Sequence, residues 1–224
     1  MKNNILKQDE KAVYAVFSDI QGNYPLLHSF EKDVLTEKAD KLICLGDIVQ
    51  KGIKFDDNRC IELTRKISDI CVSGNHERKI LKKKEECIKK IYSENLDFIE
   101  KMPSEYVLDK KYLFTHRGLS SHLDGRIFSV KDATKEFELM DKLYPNIKIH
   151  FVGHSHKASL FEYNPMSKDN QVLEHLDFYN KIIRLDPKKK YIANPGGVGL
   201  YFGLSNSYLV FDKDKYSINF KLIK

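Results

Sequence analysis

Short apolar runs recur along the chain, and six of them stop at a polar residue beside a glycine. Ala12–Phe17 leads into Ser18-Asp19-Ile20-Gln21-Gly22-Asn23, Leu42–Leu45 into Gly46-Asp47, and Ile70–Val72 into Ser73-Gly74-Asn75-His76-Glu77. Tyr112–Phe114 leads into Thr115-His116-Arg117-Gly118, Ile149–Val152 into Gly153-His154-Ser155-His156, and Lys190–Ala193 into Asn194-Pro195-Gly196-Gly197. Runs of this length, rich in Val, Ile, Tyr and Phe and bounded by turn residues, predict buried strands. Helical patterns lie between them. Pro25 suits a first helical turn, with Asn23 as cap and Leu26, Leu27, Phe30 and Val34 on one face. Asp57–Ile67, Glu77–Lys101 and Lys131–Leu143 are also helical in character. Strand–helix alternation argues an α/β fold.

The last third changes pattern. Leu160–Tyr163, Ile182–Leu185, Tyr208–Phe211 and Tyr216–Leu222 read as strands with short polar connections. Tyr216, Ile218, Phe220 and Leu222 alternate with polar neighbours, and Asp212-Lys213-Asp214 supplies a hairpin turn back to Tyr208–Phe211. These strands predict a second, more antiparallel sheet within the same domain. Asn164–Asp177 is polar and irregular and reads as a flexible excursion.

Composition narrows the class. A length of 224 residues suits one domain spanning 1–224. An apolar fraction of 42%, with 13 Phe and 12 Tyr, excludes disorder, and 11 Gly with 6 Pro excludes collagen-like chains. No window approaches the ~18 apolar residues of a membrane span. Met1–Lys11 is polar, so no secretory signal is expected. Cys44, Cys60, Cys71 and Cys87 form no C-x-x-C pair and read as free thiols of a cytoplasmic protein. The net charge of +6 permits phosphorylated substrates or nucleic acid without demanding either. The densest basic run carries Glu85–Lys89 and Glu86–Lys90 at i,i+4 spacing, which favours a solvated helix face over a nucleic-acid patch.

Functional groups of open α/β sheets collect at the carboxyl ends of strands. Here those ends present Asp19, Gln21, Asp47, Asn75, His76, His116, His154 and His156. Carboxylates, amides and imidazoles together make a metal-ligand set, with enough donors for two ions. Imidazole-rich sites suit Mn, Fe, Zn or Ni better than Mg. Two ions sharing a carboxylate can clamp the oxygens of a phosphoryl displacement.

These residues resemble the calcineurin-like metallophosphoesterase superfamily. Its pattern of D-x-H, G-D, G-N-H-[DE], a lone H and G-H-x-H is met in order by Asp19-Ile20-Gln21, Gly46-Asp47, Gly74-Asn75-His76-Glu77, His116 and Gly153-His154-Ser155-His156. Asn194-Pro195-Gly196-Gly197-Val198-Gly199, and residues 93–99 with Met102-Pro103, resemble the small bacterial and archaeal phosphodiesterase branch. Gly46-Asp47-Ile48-Val49-Gln50-Lys51-Gly52 and His116-Arg117-Gly118-Leu119 resemble the phosphoprotein-phosphatase branch.

The resemblance implies a four-layer α/β/β/α sandwich of two mixed β-sheets flanked by helices. It implies two divalent transition-metal ions, Mn foremost, with Fe, Zn or Ni as alternatives. Asp47 bridges them. Asp19, His156 and position 21 bind the first ion, and Asn75, His116 and His154 the second. A metal-bound hydroxide attacks phosphorus, and His76 contacts phosphate and serves as a general acid. Lys51 and Arg117 are candidate phosphate ligands beside Asn75 and His76. The partner is a phosphorylated small molecule, a nucleotide or a phosphoprotein, as monoester or diester, with no membrane and no favoured nucleic acid.

Gln21 departs from the pattern, standing where the family has histidine. An amide oxygen is a weaker donor to a transition metal than imidazole, so the first ion is expected to bind loosely. The alternative is a weakly catalytic or non-catalytic interaction scaffold with a degenerate first site. His28, His122, His150 and His175 read as surface or strand residues, and Tyr201 with Phe202 as candidates for the mouth of the site.

Overall fold

The computed structural model describes residues 12–50, 56–83, 90–120, 122–167, 171–199, 204 and 206–224. Lys51, Cys87, Tyr201, Phe202, the Glu85–Lys89 pair and Glu86 of the Glu86–Lys90 pair lie outside them.

The first five strands are β1 (Val13–Phe17), β2 (Lys41–Cys44), β3 (Ile70–Cys71), β4 (Glu105–Leu108) and β5 (Tyr112–Thr115). They are followed by β6 (Ile149–Val152), β7 (Ser159–Tyr163), β8 (Val172–Glu174), β9 (Ile182–Arg184), β10 (Lys190–Asn194), β11 (Ser207–Asp212) and β12 (Ser217–Leu222). The helices are α1 (Tyr24–Leu35), α2 (Asp57–Ile67), α3 (Asn75–Lys82), α4 (Ser93–Lys101) and α5 (Val130–Leu143), and a 3₁₀ turn spans His122–Gly125. One six-stranded sheet has the order β3-β2-β1-β11-β12-β9, the other β4-β5-β6-β10-β7-β8. Both are mixed: β1, β2 and β3 run parallel, as do β5, β6 and β10, and the remaining pairings are antiparallel.

Three apolar layers hold four structural layers together. Phe17, Leu27, Phe30, Cys60, Ile61, Ile80, Leu96 and Ile99 pack α1–α4 onto the first sheet. Tyr14, Val16, Leu45, Phe114, Phe151, Phe211 and Phe220 fill the space between the sheets. Leu113, Phe137, Met140, Val152 and Phe161 seat α5 on the second sheet. This is the α/β/β/α sandwich. Parallel strands covered on both faces need near-continuous apolar runs, which is how β1 and β5 are written.

Local chemistry sets several boundaries. Asn23 caps α1 by accepting from Leu26 N at 3.2 Å, with Pro25 in the first turn. Ser129 and Asp132 close a capping box on α5.

Three expectations are corrected. The second sheet forms, but the strands of the last third do not make it by themselves: β7 joins β10 in it, whereas β11, β12 and β9 complete the first sheet beside β1. Residues 207–211 of β11 are all buried, as a central strand requires and an outlying hairpin does not. The excursion over 164–177 contains a strand, β8, paired with β7. The helical character expected over 77–101 is interrupted among the described residues. α3 ends at Lys82 and α4 begins at Ser93. The buried Asn58 of α2 intervenes: its Nδ2 donates to Lys90 O at 2.9 Å and its Oδ1 accepts from Tyr92 N at 3.0 Å. That side chain takes up backbone groups a continuous helix would have used.

Candidate metal centre

Every residue of the sequence-derived set lies just beyond a strand end, and five are bent sharply there. Asp19 (φ 54), Gln21 (φ 55), Asp47 (φ 52), His154 (φ 67) and His156 (φ 58) all adopt left-handed backbone. Such conformations cost about 1–3 kcal/mol each and persist only where the surroundings impose them. The first two strand-end loops are zipped by backbone bonds: Asp19 N to Gly46 O at 3.0 Å, Gln21 N to Asp47 O at 3.0 Å, and Gly22 N to Ile48 O at 2.9 Å. Gly46 (φ 92) passes so close to α3 that a Cβ would lie 2.4 Å from Gly74 N. A Cβ on Gly74 would lie 2.2 Å from Asp47 Oδ1, so glycine is required at both crossings.

Three buried side chains fix these loops. Glu77 Oε2 accepts from Asp47 N at 2.9 Å and Gly74 N at 2.8 Å. Its Oε1 accepts from Ile48 N at 2.8 Å and Val49 N at 3.2 Å. Asn194 Nδ2 donates to Gly153 O at 2.7 Å and Ser155 Oγ at 2.9 Å, setting the His154–His156 turn. Glu136 accepts from Leu119 N at 2.7 Å and Ser120 N at 3.1 Å, and lies 3.1 Å from His150 Nδ1, beneath the loop after His116. Sequence reasoning quoted Glu77 and Asn194 only as motif letters and passed over Glu136. The available signal was its place on the apolar helix face, since Glu136 stands three residues after Ala133, beside Phe137 and four before Met140.

Asp47 stands at the centre. Its Oδ1 accepts from His76 N at 2.9 Å, and its Oδ2 lies 3.4 Å from His116 Nε2 and 3.7 Å from His76 Nε2. Gln21 Nε2 donates to the same Oδ2 at 3.0 Å. His116 Nε2 also lies 3.1 Å from Asn75 Oδ1, while its Nδ1–H donates to Leu45 O at 2.8 Å. That backbone bond fixes the ring and aims Nε2 inward, as metal-ligating histidines require. Asp47, His116 and His154 offer ligand atoms all within 4.8 Å of one another, the one such group among the described residues. Asn75 Oδ1 adjoins it through His116.

Asp19 and His156 lie together, with His156 Nε2 3.4 Å from Asp19 Oδ1; Asp19 Oδ2 accepts from His154 N at 3.0 Å. Asp19 Oδ1 and His154 Nε2 are buried without a hydrogen bond. Buried polar atoms are rarely left so. These residues therefore fit the divalent cations that the donor set suggests, best on the Asp47–Asn75–His116–His154 side.

The electrostatics point the same way. Burial opposes the charge of Asp47, yet His116 and His76 hold its carboxyl well below the usual carboxylate range. Burial opposes protonation of His116, but the Asp47 carboxylate raises it to about 9. Burial and the charges of His116, Arg126 and Arg117 push His154 down to about 3, so it is neutral and free to ligate. Burial and the Asp47 charge raise Glu77.

Of the candidate substrate residues, His76 donates Nδ1–H to Val49 O at 2.8 Å, which leaves Nε2 facing the centre. Arg117 pairs through Nη1 with Asp124, whose other oxygen lies 3.7 Å from His154 Nε2. His150 is buried in its strand beside Thr115 Oγ1, 2.7 Å away, and His28 and His175 pair with Glu31 and Glu162. None of these three joins the centre.

A calcineurin-like phosphoesterase family model matches residues 12–182, more than half of the chain. An uncharacterized protein of Methanocaldococcus jannaschii is 31% identical, over 93% of this chain and 86% of that protein. A metallophosphoesterase from Sphaerobacter thermophilus shares the fold with a TM-score of 0.74 at 24% identity, covering 95% of this chain and 88% of that one. A hypothetical protein from Pyrococcus horikoshii aligns with a TM-score of 0.66 at 14% identity, again over 95% and 88%. The matched sequence spans Asp19 to His156, and the chain belongs to the calcineurin-like phosphoesterase family.

Proposed function

We propose that the chain, 1–224 acting as one domain, is a metal-dependent hydrolase of phosphate esters, working at the centre around Asp47. The observation that carries this reading is the cluster of Asp47, His116 and His154 within 4.8 Å, buried at strand ends. Asp47 stands between two candidate positions, with Asn75, His116 and His154 on one side and Asp19, Gln21 and His156 on the other. Mn suits this mixture of imidazole, amide and carboxylate, with Fe, Zn or Ni as alternatives. When bound, a divalent ion makes a nucleophile available at neutral pH and offsets negative charge on the phosphoryl group.

The chain's own residues then bind, orient and supply a proton. His76 keeps the Nδ1 proton on Val49 O, so its Nε2 faces the substrate and, when the ring is the imidazolium, can give the Nε2 proton to the leaving oxygen and remain as the neutral Nδ1–H ring. The planar guanidinium of Arg117 forks onto phosphoryl oxygens, with Asn75 alongside, and Lys51 is a further candidate ligand. Arg117 and Arg126 place positive charge around His154, which favours an anionic substrate. A phosphorylated small molecule, nucleotide or phosphoprotein all suit such a site, as monoester or diester. We place the protein in the cytoplasm: Cys44, Cys60 and Cys71 are free thiols. No helix among the described residues is long and apolar enough to cross a membrane.

The test is hydrolysis of p-nitrophenyl phosphate beside bis-p-nitrophenyl phosphate by protein stripped of metal and then given Mn, Ni, Zn or Mg in turn. Turnover that returns with a transition ion supports the reading, and the preferred ester assigns the bond cleaved. A folded protein that turns over neither ester with any ion overturns it in favour of an interaction scaffold.

A further inference from the structure

We propose that Gln21 makes the centre asymmetric: one ion binds tightly, between Asp47, Asn75, His116 and His154, and the Gln21 amide stands in for the second. This rests on the metal-dependent reading above and says which half of the centre is filled. The argument begins with what Gln21 does. Its Nε2 donates to Asp47 Oδ2 at 3.0 Å. A carboxylate only accepts, so the amide must present its NH₂ group to Asp47 and turn its oxygen away.

An ion on the Asp19–His156 side needs an electron pair from position 21 and a second one from Asp47. Gln21 as placed does not offer the first. Its nitrogen donates a proton and has no pair to give, and it occupies one lone pair of Asp47 Oδ2, the oxygen that also lies 3.4 Å from His116 Nε2. Binding there requires the amide to turn over and the Gln21–Asp47 bond to break. Imidazole at position 21 would carry no such cost, because its ring nitrogen is itself a lone-pair donor.

The backbone leaves the glutamine little room to withdraw. Gln21 sits in left-handed backbone with φ 55, and its N–H is bonded to Asp47 O at 3.0 Å. The residue that carries the amide is therefore clamped to the residue whose carboxylate the amide engages. The opposite side of Asp47 is different. There His116 Nε2 is aimed by the bond from Nδ1–H to Leu45 O. Asp47, His116 and His154 also form the one three-ligand group within 4.8 Å among the described residues; Asp19 and His156 are not in it.

The test counts ions. Metal-free protein is titrated calorimetrically with Mn²⁺, and ions per chain are then measured by mass spectrometry after dialysis against micromolar Mn²⁺. The wild type should retain one ion, with any second weaker by at least about 10–100-fold, the range that altered metal-site partners cost. Gln21→His should retain two. Should Gln21→His fold poorly, Asp19→Asn serves instead and should keep the wild-type ion within about threefold, whereas His116→Ala should lose it. Two ions of similar affinity in the wild type, or loss of the tight ion on Asp19→Asn, would overturn the proposal. A protein that binds one ion and cleaves no ester would leave this inference standing and remove the hydrolase reading.

Discussion

The carboxylate of Glu77 holds the backbone of Asp47: Oε2 accepts from Asp47 N at 2.9 Å and from Gly74 N at 2.8 Å, joining the loop after β2 to the start of α3. Its other oxygen takes Ile48 N and Val49 N. Glu77 is thus a positioning residue for the centre. Glu77→Gln replaces one acceptor oxygen by a donor NH₂ and faces it toward buried amides. Each unsatisfied buried group costs about 1–3 kcal/mol. Urea denaturation should show a loss of about 2–4 kcal/mol, and Mn²⁺ should bind at least tenfold more weakly. A variant as stable and as metal-avid as the wild type would show that Glu77 merely fills space.

The inter-sheet core gives an independent check on the fold. Phe211 of β11 is fully buried, with its ring 5.6 Å from Phe151 and 5.2 Å from Tyr112 of the opposite sheet. Phe211→Ala leaves a cavity at that junction and should cost about 3–5 kcal/mol. A loss under about 1 kcal/mol in urea denaturation would contradict the placement of β11 in the middle of its sheet.

Much of this was legible in the sequence because strand ends announce themselves. An apolar run stopped by a glycine and a ligand-type side chain located Asp19, Asp47, Asn75, His116 and His154, and the structure brings those five to one place. What stayed hidden depends on partners distant in sequence. Asn58 breaks the helix over 77–101 from another helix, so the i,i+4 charge pairs and apolar spacing there gave no warning. Glu136 lies 17 residues from the amide of Leu119 that it accepts from. The pairing of β11 with β1 joins segments from opposite ends of the chain, which alternation alone cannot specify. The bond from Gln21 to Asp47 turns on side-chain orientation, to which a motif is blind.

Glu136 also predicts an acid dependence. Burial opposes its charge, but His150 beside it and the amides of Leu119 and Ser120 hold its carboxyl below the usual value of 4.5. A carboxyl depressed on folding stabilises the native state above its unfolded value and loses that contribution as pH falls through its folded value. The stability gap between wild type and Glu136→Gln should therefore be full at pH 7 and narrow below about pH 4.5. A gap constant down to pH 3 would contradict the assignment.

Arg117 is engaged by Asp124 before any substrate arrives. Both side chains are partly exposed, and such pairs contribute about 0.2–1 kcal/mol. Asp124→Asn should free the guanidinium and lower KM for p-nitrophenyl phosphate by up to about fivefold, with kcat little changed. Arg117→Lys should raise KM, since an ammonium cannot fork onto two oxygens. A rise in KM for Asp124→Asn would mean that Asp124 aims Arg117 at the phosphate instead of competing for it.

The most direct test of the account is Asp47→Asn, assayed for Mn²⁺ binding and for ester hydrolysis in protein shown to be folded by its urea transition. The substitution keeps the shape of the side chain and removes the charge at the centre of the ligand group. The account predicts a folded protein whose metal-dependent turnover falls by at least about 100-fold, with Mn²⁺ binding weakened alongside it. Turnover within a few-fold of wild type would contradict it and place the chemistry away from Asp47.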